Sequence, residues 1–596
     1  MSTYSPQALG LAARWVAGLL TLALPLRGQQ LASPIQLNQV GFYPAAPKVA
    51  VVVGTGEGTF EVTTADHKTT VFRGQLGTAR YDSLAAQTVR TADFSACRAS
   101  GTFVVRVPGV GNSAPFRIEA RVHEAVAQAA LKGFYYQRAS VALPPAFAGK
   151  WQRALGHPDT HVLVHASAAS AGRPAGTAIS APRGWYDAGD YNKYVVNSGI
   201  TLGTLLALYE DFPAYCARLD AHIPESTNQL PDVLDESLWN LRWLLAMQDP
   251  ADGGVYHKLT NASFDAMVLP AACTTPRYVV QKSTAATLDF AAVMAQASRV
   301  FRGFERQTPG LADSCLRAAT RAWGWAGQHP AVYYDQAALN RQFQPAVSTG
   351  EYGDHDVRDE RQWAAAELYA TTKEAGYFAA LEPLLAAPAL LPTWSQVGTL
   401  ATYTLVRLGK KLPPAGQQAL PQLRQQILAL ADGLAAAAPA TAYQTVMGRR
   451  AADYTWGSNS TAANQGIALV QAYRLTGEAK YLRLALGNLD YLLGRNATGY
   501  CFVTGSGHHA PQHPHHRLSA GAGGIGPVPG LLVGGPNPGR QDGCAYSSAL
   551  PALAYSDSEC SYASNEVAIN WQAPLVYLAA ALEASQAHLA APRAKR

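Results

Sequence analysis

Cysteine is scarce in this chain of 596 residues and shows no pairing pattern. Cys97, Cys216, Cys273, Cys315, Cys501, Cys544 and Cys560 are an odd number at unrelated spacings. A disulfide framework is therefore excluded as the main support of the fold, and no single pairing can be assigned. Long apolar runs are also lacking. The most apolar stretch, Trp15–Leu26, is about a dozen residues where a membrane span needs about twenty, so no membrane span is expected. Charge is thin as well, at 15% of residues. The formal +6 includes Arg14, Arg27, Arg593, Lys595 and Arg596 near the two ends, which leaves the body close to +1. No basic patch points to nucleic acid or an anionic membrane as partner. Internal repeats, a Pro/Ser-rich linker and an appended module after residue 585 are not seen in the sequence.

What is present divides into three regimes. Residues 1–29 have the order of an export signal: Arg14, the apolar run, then Arg27-Gly28-Gln29. A secreted or periplasmic protein is expected, with an amphipathic or buried helix as the alternative reading of that run. From 34 to 120, short β-branched runs such as Val49–Val53, Thr59–Thr63 and Gly101–Val107 alternate with Gly, Pro and Asp turns. That pattern predicts a β-sandwich. From 121 to 587 the periodicity turns helical, as in Leu234, Leu238, Leu241 and Leu245. About twelve Ala/Leu-rich segments, from 124–138 to 566–584, are the number an (α/α)6 barrel requires. The predicted class is mainly α, with a small β-sandwich in front. Long loops at 140–195, 250–283, 329–359 and 495–565 carry aromatics and carboxylates, and loops of that length in a compact domain are usually functional.

Three of these segments carry chemistry. Gly184-Trp185-Tyr186-Asp187-Ala188-Gly189-Asp190-Tyr191 sets two carboxylates three residues apart among flat rings. Gly disfavours a helix interior by about 1 kcal/mol, so the run suits a loop. Rings such as Trp185 and Tyr191 stack on sugar faces, and paired carboxylates hydrolyse glycosidic bonds. The second segment is Tyr562-Ala-Ser-Asn565-Glu566-Val567, at the mouth of an apolar helix. There Asn565 is a candidate cap, and the neighbouring Tyr562, Val567 and Trp571 would raise the Glu566 carboxyl by desolvation. The third is the loop from Cys501 to Arg517, with His508, His509, His513, His515 and His516. No Cys pair or HExxH helix frames these imidazoles, so contacts to sugar hydroxyls are favoured over metal binding.

Together these segments resemble the family nine glycoside hydrolases, mostly cellulases, over about residues 122–585. Leu37-Asn38-Gln39-Val40-Gly41-Phe42 likewise resembles the start of the immunoglobulin-like module that precedes many of their catalytic domains. The resemblance implies Asp190 as general base, Asp187 as holder of the attacking water, Glu566 as general acid and Asp557 as a supporting charge. It implies His515 and Arg517, with His516, at sugar hydroxyls, and it brings in Tyr454-Thr-Trp456. Trp185, Tyr191, Tyr562 and Trp456 are the expected stacking surfaces. The chain departs from the family at Cys501, His509 and Gln572, none of them a proton-transfer group. Some relatives hold a structural zinc through Cys and His upstream of the Asp pair. Residues 155–183 here contain His157, His161 and His165 but no Cys, so zinc is not expected on that basis.

No cofactor is expected for catalysis. Thr349-Gly350-Glu351-Tyr352-Gly353-Asp354-His355-Asp356-Val357-Arg358-Asp359-Glu360 packs five acids into ten residues, a density of hard oxygen donors that suits Ca²⁺. The expected ligands are Thr349, Gly350, Asp354, Asp359 and Glu360; the alternative is a helix N-terminus favoured by acids. The expected protein is a monomeric β-glucanase that cuts β-1,4-glucosidic bonds in β-glucan or cello-oligosaccharide with inversion. An exo-acting cellodextrinase or exo-glucosaminidase, or a non-catalytic glycan-binding protein, are the competing readings.

Overall fold

The computed structural model describes residues 33–54, 58–438 and 441–590. The expected export signal and the cations at 593–596 lie outside the described residues.

Between Ile35 and Ile118 the chain forms two sheets. In spatial order the first is Ile35–Gln36, Val49–Val53, Gln87–Asp93 and Arg80–Asp82. The second is Gly41–Phe42, Phe116–Ile118, Gly101–Val107, Thr59–Thr64 and Thr70–Gln75, with Gly111–Asn112 also paired to Gly101–Val107. Alternation turns Phe60, Val62, Phe103 and Val105 inward, and Val62 faces Val105 across the ladder. The rings of Phe42, Phe94 and Phe116 meet with centroids 5.2 to 5.5 Å apart. Gln87–Asp93 gives no strand signal in the sequence because only Val89 and Ala92 of its seven residues are buried.

Among the described residues thirteen helices reach seven residues or more. One, Gln336–Gln342, lies in the 329–359 segment expected as a loop; the other twelve are α1 Glu124–Gln137, α2 Val195–Asp211, α3 Asp232–Met247, α4 Thr284–Phe301, α5 Leu311–Gln328, α6 Arg358–Thr372, α7 Ala375–Leu381, α8 Gly398–Leu408, α9 Pro414–Ala437, α10 Ser458–Thr476, α11 Ala479–Leu492 and α12 Ile569–Ser585. Each of these twelve falls within or across one of the predicted segments. Packing neighbours run α2, α4, α6, α8, α9, α10, α12 and back to α2, while α1, α3, α5, α7 and α11 lie against members of that circuit. The sequences agree with this placement. Helices α2, α4 and α12 are buried nearly all round, whereas α5 buries one stripe, Ala312, Cys315, Ala319, Ala322 and Ala326.

A third sheet was not legible in the sequence, because its strands are two to four residues long. It runs Ala178–Ile179, Val162–Val164, Arg277–Val279, Lys258–Asn261 and Lys193–Tyr194, and it knits together segments expected as loops. The β-rich part also grips the helical part through polar side chains. Asn38 donates to Asp490 at 2.8 Å, and Gln39 Oε1 accepts the backbone N–H groups of His508 and His509 at 2.8 Å each. One disulfide, Cys544–Cys560, closes a loop ahead of Glu566. Among the described residues no helix is long and apolar enough to cross a membrane.

Candidate active site

A cavity of about 890 Å³ opens where the long loops converge. Asp187, Asp190 and Glu566 all line it, with His515, Arg517, Trp456 and Tyr562. Chain segments almost four hundred residues apart thus meet at one place.

The Asp loop is closed on itself by Asp187 N–H to the Asn192 carbonyl at 3.0 Å, and held to α12 by Ile569 N–H to the Asp187 carbonyl at 2.8 Å. Asp187 accepts from Asn197 Nδ2 at 2.7 Å and from the Tyr352 hydroxyl at 2.8 Å. Asp190 Oδ2 accepts from Asn192 and from the Tyr194 hydroxyl, the latter at 3.1 Å. Among the described residues no donor reaches Oδ1 of Asp190, a residue of the cavity lining. Asn192 is itself fixed to the third sheet, accepting from Thr260 at 3.0 Å and from Asn261 N–H at 2.9 Å.

Gly189 occupies a point where no larger residue fits. A Cβ there would stand 2.2 Å from the His515 carbonyl and 3.1 Å from Glu566 Oε1. Its N–H donates to Glu566 Oε1 at 3.3 Å, and its carbonyl accepts from Arg517 N–H and Nη1 at 3.0 and 2.8 Å. One peptide unit thus spans acid and arginine. Glu566 itself follows the helical turn Tyr562–Asn565 in extended conformation and pairs with His515. Helix α12 begins only at Ile569, so Asn565 is not its cap. Instead Asn565 accepts from Tyr555 and donates to the His513 carbonyl and Asp557.

Burial, followed by the charges of Asp190 and Asp187, holds the Glu566 carboxyl well above the usual glutamate range. Asp187 is pushed up to about 8, first by burial and then by Asp190, against the lowering effect of Asn197 and Tyr352. Two carboxylates this close do not ionise independently. A carboxyl kept protonated near neutrality is what a general acid requires.

Asp557 lies outside the cavity lining. It accepts the Gln512 and His513 N–H groups at 2.8 and 2.9 Å and so ties the His-rich loop to Asn565. His515 reaches the cavity, with Nδ1 at 2.6 Å from the Glu559 carbonyl. Trp456 is 43% exposed and lies 5.5 Å from Tyr562 between ring centroids, a broad apolar wall; Phe264, 47% exposed, is a further exposed ring at the cavity.

Three expected sugar contacts are corrected. Trp185 is fully buried, packed on Phe134 at 4.6 Å with its indole N–H on Glu236. Tyr191 gives its hydroxyl to the Val268 carbonyl at 2.6 Å and packs at a tilt on Tyr186, with ring centroids 4.7 Å apart. His516 is enclosed between Ser519 and Gln137. The reason is geometric. In extended chain neighbouring side chains face opposite ways, so His515 reaches the cavity and His516 the core. The Asp loop likewise buries its rings against the protein to present its carboxylates. Sequence reasoning missed Asn197, Tyr194, Tyr352 and Lys258, which hold the acids and the loop at 349–352, and Trp394 and Phe264 of the cavity lining, Trp394 lying 5.3 Å from Tyr352 between ring centroids. Of these only Tyr352, an aromatic between two glycines in the acid-rich loop, carried a visible signal.

The expected calcium ligands separate into two groups. Thr349 and Gly350 are taken by the Lys258 ammonium, at 3.1 Å from the Thr349 hydroxyl and 2.6 Å from the Gly350 carbonyl, and do not belong to a cation site. Asp354, Asp359 and Glu360 instead lie close enough to Asp289 of α4 for their charges to act on one another. Both oxygens of Asp289, both of Glu360 and Oδ2 of Asp354 are buried without a partner. Burial and their mutual repulsion push Asp289 well up and Glu360 up to about 11. Orphaned carboxylates of this kind fit a hard cation.

Comparison with known proteins agrees with this geometry. Residues 123–579 match Glycosyl hydrolase family 9, and residues 30–112 match the Cellulase N-terminal ig-like domain. The chain is 47% identical over 553 residues to a xyloglucan-specific endo-beta-1,4-glucanase of Bacteroides ovatus, covering 92% of this chain and 94% of that one. It is 32% identical over 555 residues to Endoglucanase D of Acetivibrio thermocellus, covering 92% and 83%. A solved structure titled Bacteroides ovatus GH9 superposes with a TM-score of 0.89 at 45% identity, over 93% of this chain and 99% of that one. The chain belongs to glycosyl hydrolase family 9. It is a glycoside hydrolase of endoglucanase type, mostly helical with a β-rich N-terminal domain, and its substrate is a carbohydrate.

Proposed function

We propose that this protein hydrolyses internal β-1,4-glucosidic bonds with inversion of configuration. The observation that carries the reading is the meeting of Asp187 and Asp190 with Glu566 in one cavity, with the acid held protonated. Glu566 gives its proton to the leaving oxygen. Asp190 takes a proton from water through its free Oδ1, and Asp187, aligned by Asn197 and Tyr352, holds that water. Inversion requires acid and base roughly 6.5–9.5 Å apart with the water between them. His515 and Arg517 meet sugar hydroxyls, and Trp456 with Tyr562 stacks the chain. Asp557 positions the His loop. The helix circuit is read as an (α/α)6 barrel whose loop end carries the site. Proton NMR in the first minutes of hydrolysis tests the mechanism. The first-formed product is expected as the α-anomer, and initial β-anomer would overturn the roles of all three carboxylates.

The 47% identity to a xyloglucan-specific relative favours a branched glucan as a second reading. Initial rates on xyloglucan and on soluble cellulose separate the two. A cation, read as Ca²⁺, would be held by Asp289, Asp354, Asp359 and Glu360 and would act by fixing the Tyr352 loop to α4 and α6, with no part in the chemistry. The protein is further read as an exported monomer; the Cys544–Cys560 bridge suits an oxidising compartment.

A further inference from the structure

Against Tyr186 and Tyr191 of the Asp loop, outside the cavity lining, three donors of different kinds converge. His157, Asp265 and Cys273 each offer one ligand atom, all within 4.8 Å of one another. His157 Nε2 stands 3.9 Å from Asp265 Oδ2, too far for a hydrogen bond. His157 is 4% exposed and its Nε2 has no partner at all. The other ring nitrogen, Nδ1, lies 2.9 Å from the Tyr186 hydroxyl. If that hydroxyl accepts the Nδ1 proton, the Nε2 lone pair points at the acid and the thiol, as a ligating histidine's must. Asp265 Oδ1 takes a long contact from Thr275, 3.4 Å. Cys273 Sγ makes a weak contact, 3.9 Å, to the Leu269 carbonyl and stands within hydrogen-bonding reach of the Asp265 carboxylate, so thiol and acid already meet.

We propose that His157 Nε2, Asp265 Oδ2 and Cys273 Sγ form a Zn²⁺ site, with water as the fourth ligand. Nitrogen, oxygen and sulfur donors together select a borderline metal rather than a hard one. Bonds of about 2.0–2.3 Å set tetrahedral donors roughly 3.5 Å apart, which asks the observed positions, 3.9 Å for one pair and within 4.8 Å for all, to close by at most about 1.3 Å. Cys273 is partly exposed, which admits the metal and its water; the free cysteines Cys97, Cys216, Cys315 and Cys501 are buried. On binding, the thiol proton leaves to solvent. Thiolate and carboxylate then balance the ion beside Arg277 and Lys193, whose own charges Asp159 meets at 2.9 and 2.7 Å. The donor set is not the upstream Cys and His set of some relatives, since Asp265 and Cys273 both follow the Asp pair in the chain.

The site would staple the 262–276 loop to the core. That loop sends Phe264 into the cavity, and its Asp265 carbonyl accepts Arg517 Nε at 2.8 Å. His157 in turn packs on Tyr186 and Tyr191, which flank the catalytic acids, at 5.6 and 5.3 Å. The metal is thus a positioning element, with no contact to the reacting bond.

The test uses the full chain without an added polyhistidine tag, stripped of metal and then given Zn²⁺ or Co²⁺. After desalting, elemental analysis is expected to find one more equivalent of zinc in the native chain than in Cys273→Ser or Asp265→Asn. The Co²⁺ form is expected to show a thiolate-to-cobalt charge-transfer band that Cys273→Ser abolishes. The His508–His516 run can also take up these ions, but only through nitrogen, so the band separates the two. Equal zinc in native and variant chains, or a Co²⁺ form without the band, would overturn the proposal. Both readouts are independent of activity, so their failure leaves the glucanase reading standing.

Discussion

The backbone N–H of Gly189 donates to Oε1 of Glu566, 377 residues further along the chain, at 3.3 Å. The base-bearing loop and the acid are therefore set by a single peptide, and their spacing follows from how closely the two segments approach. A methyl group at 189 would strike the His515 carbonyl. Gly189→Ala is expected to push the segments apart and lower kcat by at least tenfold with little change in helical circular dichroism. Near-native kcat would show that this contact does not set the catalytic spacing.

Glu566→Gln removes the proton but keeps the shape. A general acid typically contributes 10²–10⁴-fold, and the loss should fall on substrates with poor leaving groups. Aryl glycosides with good leaving groups need little protonation and should be hydrolysed at closer to native rates. The raised Glu566 carboxyl also sets the basic limb of the pH–rate profile, which should lie well above an ordinary glutamate and vanish in the variant. Equal losses on both substrates would mark Glu566 as structural.

Tyr352→Phe deletes one donor to Asp187. A hydrogen bond to a charged group contributes about 1.5–3 kcal/mol, or roughly ten- to a hundredfold. Because this bond lowers the Asp187 carboxyl, its loss should raise it further and move the acidic limb of kcat/KM to higher pH. A drop in rate with an unmoved limb would indicate that Tyr352 acts elsewhere.

The acid cluster of Asp289, Asp354, Asp359 and Glu360 predicts opposite pH trends with and without metal. In the metal-free chain the folded carboxyls lie above their unfolded values, so their contribution to stability is full below about pH 4 and is lost as pH rises. Calcium requires the ionised forms, so its stabilisation grows over the same range. Melting in Ca²⁺ and in EGTA should differ little near pH 5 and by several degrees near pH 8. At a hundredfold excess over Kd the gain is about 2.7 kcal/mol. No calcium effect at either pH, or one retained in Glu360→Gln, would rule out this cation site.

Much of the layout could be read from the chain. Helical periodicity gave twelve of the thirteen helices of seven residues or more, missing Gln336–Gln342, and β-branched alternation marked most of the N-terminal strands, because both signals come from which face of a local element meets the core. The Asp187, Asp190 and Glu566 motifs were legible because their residue types are chemically unusual where they stand. What the tertiary structure alone decided was direction and company. Trp185 and Tyr191, expected as stacking surfaces, and His516, expected at sugar hydroxyls, serve the core, since a residue's type does not say which side of a loop it faces. Thr349 and Gly350 were claimed by the Lys258 ammonium, and Asp289 joined the acids from a helix about seventy residues away. Orphaned carboxylates, the Gly189 contact and the His157–Asp265–Cys273 cluster depend on which segments pack together, and pairing across hundreds of residues leaves no trace in local sequence.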